Sequence, residues 1–286
     1  MKIKICADST CDLSREHIEK NNIGIMPLHV ALGTDDRLDG VTIAPEDIYK
    51  YYSTEKKLPR SGARSAEEYK EFFQSFLNDG YDAVVHYDIS SDMSSSYDNA
   101  CVAANELKNV YVVDSRNLST GTGLLVLDAC DMVNQGKTAQ EIYERSKSRV
   151  GAVRASFIID KLEFLYKGGR CSSLAYLGAN LLQIKPVIEV KDGLMGIASK
   201  PMGRYIRCVE KYAAWVKDNC TNADKTRCFV THTKMDAGIT ERVIEIVKSW
   251  GIFDEILETT AGCTITTHCG ANTIGILFIN DNGEVK

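Results

Sequence analysis

The stretch from Ser90 to Ala100, SSDMSSSYDNA, decides how the chain folds. It follows the apolar run Ala83 to Tyr87 and precedes apolar residues at helical spacing, which predicts a strand, a serine-rich turn and a helix. Ser94, Ser95 and Ser96 would lie where the first backbone N–H groups of the helix have no internal partner and its dipole favours an anion. A serine here is also an ordinary N-cap. The sequence therefore leaves two interpretations, an anion site or capping alone.

The composition is typical of a soluble protein. Of 286 residues, 44% are hydrophobic and 26% charged, and the formal net charge is −5. The length suits two cores, so two domains are expected. The negative charge argues against general affinity for nucleic acid, which needs basic stripes. The apolar stretches fall short of the ~20 residues of a membrane span and the start lacks a signal-peptide core, so we expect no stable membrane insertion and a cytoplasmic location.

The cysteines show no metal-site pattern. Ten are scattered without a Cys-x-x-Cys pair, in a chain too large to need disulfides, so we expect reduced thiols that are mostly small core residues. The groups nearest to a metal site are Cys6 with Cys11, and Cys263 with His268 and Cys269. Neither has the two closely spaced pairs of a zinc site, so we expect no bound metal.

Strand, loop and helix patterns alternate as far as about Val150, which predicts a mainly parallel sheet with functional loops at its carboxyl edge. Two apolar segments, Ile25 to Leu32 and Leu38 to Ile43, flank the polar turn Thr34-Asp35-Asp36 and predict a β-hairpin near residues 25–44. Leu58 to Ser65 is interpreted as a loop.

Two further segments carry glycine or serine signals. Gly121 and Gly123 precede a predicted helix from Leu124 to Asn134, and this Gly-x-Gly lacks the third glycine of a dinucleotide site. Ser172 and Ser173 are predicted to cap an apolar helix that ends before proline. The pattern changes at a fresh strand, Val153 to Ile159, which places a domain boundary near residue 155.

Seven motifs, taken in order, resemble those of the DegV family and span nearly the whole chain. They are Asp8-Ser9-Thr10, Leu38-Asp39-Gly40-Val41, SSDMSSSYDNA, VVDSRNLSTGTG, LEFLYKGGRCS, LLQIKPVIEVKDG and THCGANTIGI. The resemblance implies an α/β protein of two domains that buries a long-chain fatty acid between them. It also implies a partner, a fatty acid kinase that makes acyl-phosphate. The chain itself would then be a carrier, not an enzyme, and need no cofactor.

The predicted architecture follows. Residues 1–155 should form an α/β domain with a mainly parallel sheet flanked by helices and a hairpin insertion. Residues 156–286 should form a second α/β domain with a mixed sheet.

The resemblance also implies that Ser61, Ser94 and His268 contact the fatty-acid carboxylate. Ser94 falls on the serine of the family's Ser-Gly-Thr-Tyr motif. Ser61 falls on the threonine of its Thr-Ser-Gln-Pro-Ser loop, and His268 on the histidine of His-Thr-Gly-Pro-Gly. Physically, two hydroxyls can donate to carboxylate oxygens and an imidazole can add a proton or a third donor. Hydrocarbon burial, at roughly 0.8 kcal/mol per CH₂, would dominate the affinity.

Three further residues are candidate contacts with the carboxylate or with a partner: Arg170, which matches the arginine of Lys-Gly-Gly-Arg, together with Ser95 and Gly62. Arg170 is equally compatible with a surface or inter-domain role. The chain departs from the family pattern after Ser61, where it reads Gly62-Ala63-Arg64, and at Ala271 and Asn272.

Two alternatives stay open. One is a serine hydrolase that uses Ser94, Asp114 and His268, in the chain order of α/β-hydrolases. However, Asp92 and Ser96 occupy positions where a nucleophile elbow needs small residues. The other is a regulator that binds a phosphorylated metabolite, although the chain lacks a Walker lysine.

Overall fold

The computed structural model describes residues 1–172 and 184–283 as three β-sheets with packed helices. The strands are β1 (Ile3–Asp8), β2 (Gly24–Met26), β3 (His29–Leu32), β4 (Asp35–Leu38), β5 (Arg60–Gly62), β6 (Ala83–Asp88), β7 (Val110–Asp114), β8 (Val153–Ile159), β9 (Val187–Lys191), β10 (Leu194–Ser199), β11 (Arg227–His232), β12 (Glu255–Thr260) and β13 (Thr273–Ile279). The helices are α1 (Arg15–Lys20), α2 (Pro45–Glu55), α3 (Ala66–Asn78), α4 (Ser96–Asn105), α5 (Thr120–Asn134), α6 (Ala139–Arg149), α7 (Glu163–Gly168), α8 (Tyr205–Asn219), α9 (Ala237–Ser249) and α10 (Cys263–Cys269).

The first sheet is parallel, as predicted, with strand order β2-β1-β6-β7. Strands β1 and β6 are buried along their whole length. This burial explains the apolar run from Ala83 to Tyr87 in β6, whereas β1 buries Lys4 within an alternating pattern. The serine-rich stretch leaves the carboxyl end of β6 and enters α4. The loops at this edge therefore sit where a parallel α/β sheet places its ligands.

The second sheet is mixed, with strand order β10-β9-β8-β13-β11-β12. Only the pair β11 and β12 is parallel among its described pairings. Strand β9 turns into β10 at Asp192 and Gly193, both with positive φ, as a two-residue hairpin turn requires. The α/β fold class with one parallel and one mixed sheet is thus confirmed.

Helix α5 lies between these two sheets. It packs against β1 and β6 on one side and against β8, β11 and β13 on the other, so it is buried nearly all round. It begins at Thr120, earlier than the predicted Leu124. Gly121 and Gly123 therefore lie inside the helix, where a Cβ at Gly123 would lie 2.8 Å from the carbonyl oxygen of Cys11. They permit close packing inside the helix rather than forming a loop before it.

The change of sheet falls at β8, close to the predicted boundary near residue 155. Core residues of both sheets, such as Val85 and Leu277, join one apolar cluster around Leu124 and Leu125 of α5. The division into 1–155 and 156–286 stays a prediction.

The hairpin is present, but its limits differ from the prediction. Ile25 belongs to β2 in the parallel sheet, and the second hairpin strand is β4 rather than Leu38 to Ile43. The turn is Gly33-Thr34, with φ of 70° at Gly33, and not the predicted turn at Thr34-Asp35-Asp36. Aspartates are rare in strands, but these two are exposed and one pairs with Arg37.

Two short elements were not predicted. The segment Leu58 to Ser65 contains β5, which pairs with β3 and places Ser61 opposite Val30. Helix α10 is rich in β-branched threonine, a weak helix former.

The predicted apolar helix beginning at Ser172-Ser173 lies mostly outside the described residues. Eight of the ten cysteines are buried, as expected for small core residues.

Candidate ligand-binding site

A cavity of about 120 Å³ lies among the serine-rich loop, β5, α7 and α10. Its walls contain all six predicted site residues: Ser61, Gly62, Ser94, Ser95, Arg170 and His268. The fold thus brings together side chains as far apart in sequence as Ser61 and His268.

Local hydrogen bonds hold Ser94 at the start of α4. Its backbone N–H donates to the carbonyl of Ser90 (3.2 Å), and its Oγ accepts from the backbone N–H of Ser96 (3.2 Å). Ser94 thus lies one residue before the N-cap residue Ser95, pairs with the first N–H of α4 and also lines the cavity. The anion site at these serines stays a prediction. Ser95 lines the cavity and is exposed. The third predicted hydroxyl, Ser96, is fully buried and is not among the lining residues, which corrects that part of the prediction.

Ser61 and His268, which both line the cavity, are hydrogen-bonded to each other. Ser61 Oγ and His268 Nε2 share a hydrogen bond of 2.8 Å. Because Ser61 stands in β5 rather than in a loop, pairing with β3 fixes its position. When Nε2 carries the proton and donates to Ser61, the hydrogen of the Ser61 hydroxyl is free to donate to a carboxylate.

The imidazole of His268 is neutral at neutral pH. Burial, helped by the nearby cation of Arg170, lowers its pKa to about 4. Its Nδ1 is buried against Gly168, where a Cβ would lie only 2.5 Å from that nitrogen. His268 is thus paired with Ser61 as a neutral ring rather than as a cation, and a bound anion would raise its pKa.

Two aspartates, Asp12 after β1 and Asp39 after β4, hold the helix that carries His268. The backbone N–H of Gly262 donates to Asp12 Oδ1 (2.8 Å). The N–H groups of Cys263 and Thr264 donate to the two carboxylate oxygens of Asp39 (2.8 and 2.9 Å). The oxygens of these two side chains satisfy unpaired donors at the N-terminus of α10, which offsets its weak helix propensity.

Burial raises the pKa values of two carboxyl groups here, of Asp8 to about 7 and of Asp12 to about 8, with repulsion from Asp88 and Asp39 adding to the shifts. The folded state therefore keeps protons that the unfolded chain releases above pH ~4. We expect the free energy of unfolding to fall as pH rises from 6 to 8, by roughly 1 kcal/mol per pH unit for each group. Urea denaturation at each pH measures it.

The matched variant is Asp12→Asn, which keeps an oxygen for Gly262 but cannot ionise. It should roughly halve the pH dependence between pH 6 and 8, because Asp8 still titrates in the variant. The same pH dependence in both proteins would contradict the expected pKa of Asp12.

A basic groove continues outward from the cavity and shares Ser61, Arg170 and His268 with it. Its described lining carries five cationic side chains and no carboxylate: Lys56, Lys57, Arg60, Lys167 and Arg170. Arg170 is exposed, and its Nη1 donates to the carbonyl of Gly168 (2.8 Å), which keeps the guanidinium beside the site. A chain of negative net charge therefore presents a local positive surface at the mouth of its cavity.

The serine-hydrolase arrangement is not assembled. Asp114 accepts from the hydroxyl of Ser91 (2.6 Å) and from the backbone N–H of Arg116 (2.9 Å), not from His268. Ser94 bonds to Ser96, and the partner of His268 is Ser61. The hypothesis of a Ser94, Asp114 and His268 triad is therefore wrong.

The remaining walls of the cavity are mostly apolar. They are formed by Leu28, Ala63, Ile89, Met93, Leu118, Leu165, Met195, Ile265 and Cys269, with Thr264 as a further hydroxyl. Sequence reasoning missed them because such residues look like ordinary core. Within residues 1–172 and 184–283, no group of three His, Cys, Asp or Glu side chains could hold a metal ion, and no helix is long and apolar enough to cross a membrane.

Together, the fold and the cavity define an α/β protein with a candidate ligand site, whose walls combine mostly apolar side chains with several hydroxyls. The chain belongs to the DegV family, because the family model, described as an uncharacterised protein of the DegV family, matches residues 2–281.

Relatives cover nearly the full length. A DegV domain-containing protein of Clostridium acetobutylicum is 32% identical over 97% of this chain and 98% of its own. A fatty acid-binding protein of Thermotoga maritima is 29% identical over 96% of each chain. A stearic acid-binding protein of Eubacterium ventriosum, a solved structure, has a TM-score of 0.85 and 27% identity over 98% of this chain and 99% of its own. A DegV family protein of Thermus thermophilus shares the fold, with a TM-score of 0.89 and 24% identity over 98% of this chain and 100% of its own.

Proposed function

We propose that this protein binds a long-chain fatty acid, with its carboxylate at Ser61, Ser94 and His268. The observation that carries the proposal is the hydrogen-bonded pair of Ser61 and His268 at the polar end of an otherwise apolar cavity. Burial of hydrocarbon contributes roughly 0.8 kcal/mol per CH₂, and the polar end fixes the direction of the chain. Relatives that bind fatty acids, including stearic acid, support this assignment.

The site also draws on both predicted domains. Ser61 and Ser94 precede the proposed boundary near residue 155, whereas Arg170 and His268 follow it. We therefore propose an inter-domain site.

We further propose that the protein is a carrier that presents the carboxylate to a fatty acid kinase for acyl-phosphate formation. The basic groove supports this role, since it meets the cavity at the Ser61 and His268 pair. Phosphoryl transfer is promoted by positioning and by cations near the transferred group. No catalytic role is assigned to the chain itself.

The test is native mass spectrometry of the full chain purified from bacteria, followed by organic extraction. We expect a bound mass of fatty-acid size that extraction releases. If extraction releases no fatty acid, added fatty acid does not bind and a phosphorylated metabolite does, the protein is instead the phosphometabolite-binding regulator.

Gly168→Ala tests how the imidazole is positioned. The added Cβ would lie 2.5 Å from His268 Nδ1, so the ring must leave the position in which its Nε2 bonds to Ser61. Loss of one neutral hydrogen bond, about 0.5–1.5 kcal/mol, corresponds to weaker fatty-acid binding by roughly 2- to 12-fold. Displacement of a fluorescent fatty acid measures it.

Gly151→Ala is the matched control, because Gly151 has no atom within 4 Å of an added Cβ and no positive φ. Its affinity should equal that of the wild type. Unchanged affinity in Gly168→Ala would mean that the ring position does not matter for binding.

A further inference from the structure

Thr264 carries a buried hydroxyl in the cavity wall, and the proposed carboxylate site does not use it. The residue is 5% exposed, and its Oγ1 has no hydrogen-bond partner within the described parts of the chain. Thr266, two positions later, shows the usual arrangement, because its hydroxyl donates to the carbonyl of Ala261 (3.3 Å). Buried hydroxyls are normally paired, and one that is not calls for an explanation.

The position of Thr264 relative to the carboxylate site is fixed by the helix. Thr264 precedes His268 by four residues, so the two side chains share one face of α10 about one turn, or ~6 Å, apart. The backbone N–H of Thr264 is tied to Asp39, which keeps the residue in place. The same cavity is otherwise lined here by apolar side chains such as Ile265 and Met195.

A plain hydrocarbon chain cannot pair with this hydroxyl, whereas an oxygen on the chain can. We propose that the cavity selects a fatty acid that carries a hydroxyl group on one of the first few carbons after the carboxylate, and that Thr264 recognises this group. The inference rests on the proposed function, because the carboxylate at His268 sets the distance. Selectivity arises since a site built to pair with a hydroxyl discriminates against the analogue that lacks it.

The experiment compares stearic, 3-hydroxystearic and 12-hydroxystearic acids by displacement of a fluorescent fatty acid from the full chain. We expect the wild type to bind 3-hydroxystearic acid about tenfold more tightly than stearic acid, the worth of one good hydrogen bond. The distal hydroxyl of 12-hydroxystearic acid should bring no such gain. In Thr264→Val the preference should disappear through weaker binding of the 3-hydroxy acid, whereas Thr264→Ser should keep it.

Thr267→Val is the matched control. Thr267 is equally buried and unpartnered among the described residues of the same helix, but it lines the basic groove and not the cavity. Its variant should retain the preference. A wild type that binds 3-hydroxystearic acid no better than stearic acid, or a Thr264→Val that weakens both equally, overturns the inference and leaves fatty-acid binding intact. If no acid binds the wild type, the proposed function itself fails.

Discussion

Ser94→Ala should weaken fatty-acid binding by about 10- to 150-fold, because one hydroxyl donated to a charged acceptor is worth about 1.5–3 kcal/mol. The variant also loses the hydrogen bond that Ser94 Oγ accepts from the backbone N–H of Ser96, which adds to the loss of fatty-acid affinity. Ser61→Ala should cost less. When the Ser61 hydroxyl is removed, the Nε2–H of His268, which lies 2.8 Å from it, can turn to the carboxylate.

Displacement of a fluorescent fatty acid from both variants gives the comparison. Ser75→Ala serves as the control, because that hydroxyl is bonded only to the carbonyl of Phe72 on the surface of α3. Equal affinities for the wild type and Ser94→Ala would remove Ser94 from the site. A larger loss in Ser61→Ala would reverse the assigned roles.

The central strand β6 could be predicted from sequence. Burial on both of its faces produces the apolar run from Ala83 to Tyr87, which is typical of a central strand. Helix α3 likewise carries a local signal, a capping box in which Ser65 pairs with Glu68 at its first turn. Local cues and fold agree in these elements.

Elements held by distant groups could not be predicted. Strand β5 exists only because β3 supplies its hydrogen bonds, and α10 depends on carboxylates of Asp12 and Asp39, more than 200 positions away. Asp39 lay inside a motif that the family resemblance singled out, so a signal existed, but its role at a helix end did not follow from sequence.

The candidate site could likewise be predicted from sequence only in part. The residue types at Ser61, Ser94 and His268 suit a carboxylate. The strand–turn–helix pattern already indicated Ser94, but only the resemblance selected Ser61 and His268. Thr264 had no such signal, since a threonine among threonines becomes notable only when its hydroxyl is buried without a partner. Asp114 and His268 had the chain order of a hydrolase triad, but separate hydrogen bonds keep them apart.

Arg170→Ala should leave fatty-acid binding nearly normal but reduce acyl-phosphate formation at least about 100-fold when a fatty acid kinase is supplied. An exposed cation adds little to the binding of a solvated carboxylate. In phosphoryl transfer, a positioned arginine that stabilises the transition state contributes a factor of about 10³ to 10⁵. The hydrogen bond to the carbonyl of Gly168 gives Arg170 such a position, where the groove meets the cavity.

Lys167→Ala separates this role from simple loss of charge. Lys167 lines the same groove, but its ammonium is engaged by Glu163 (2.7 Å) and it does not line the cavity. It should therefore lower acyl-phosphate formation far less than Arg170→Ala, and Arg170→Lys should fall between them because it keeps the charge without the forked donor. Unchanged acyl-phosphate formation in Arg170→Ala would show that Arg170 is only a surface charge. A collapse of fatty-acid binding would show that Arg170 holds the ligand rather than assisting transfer.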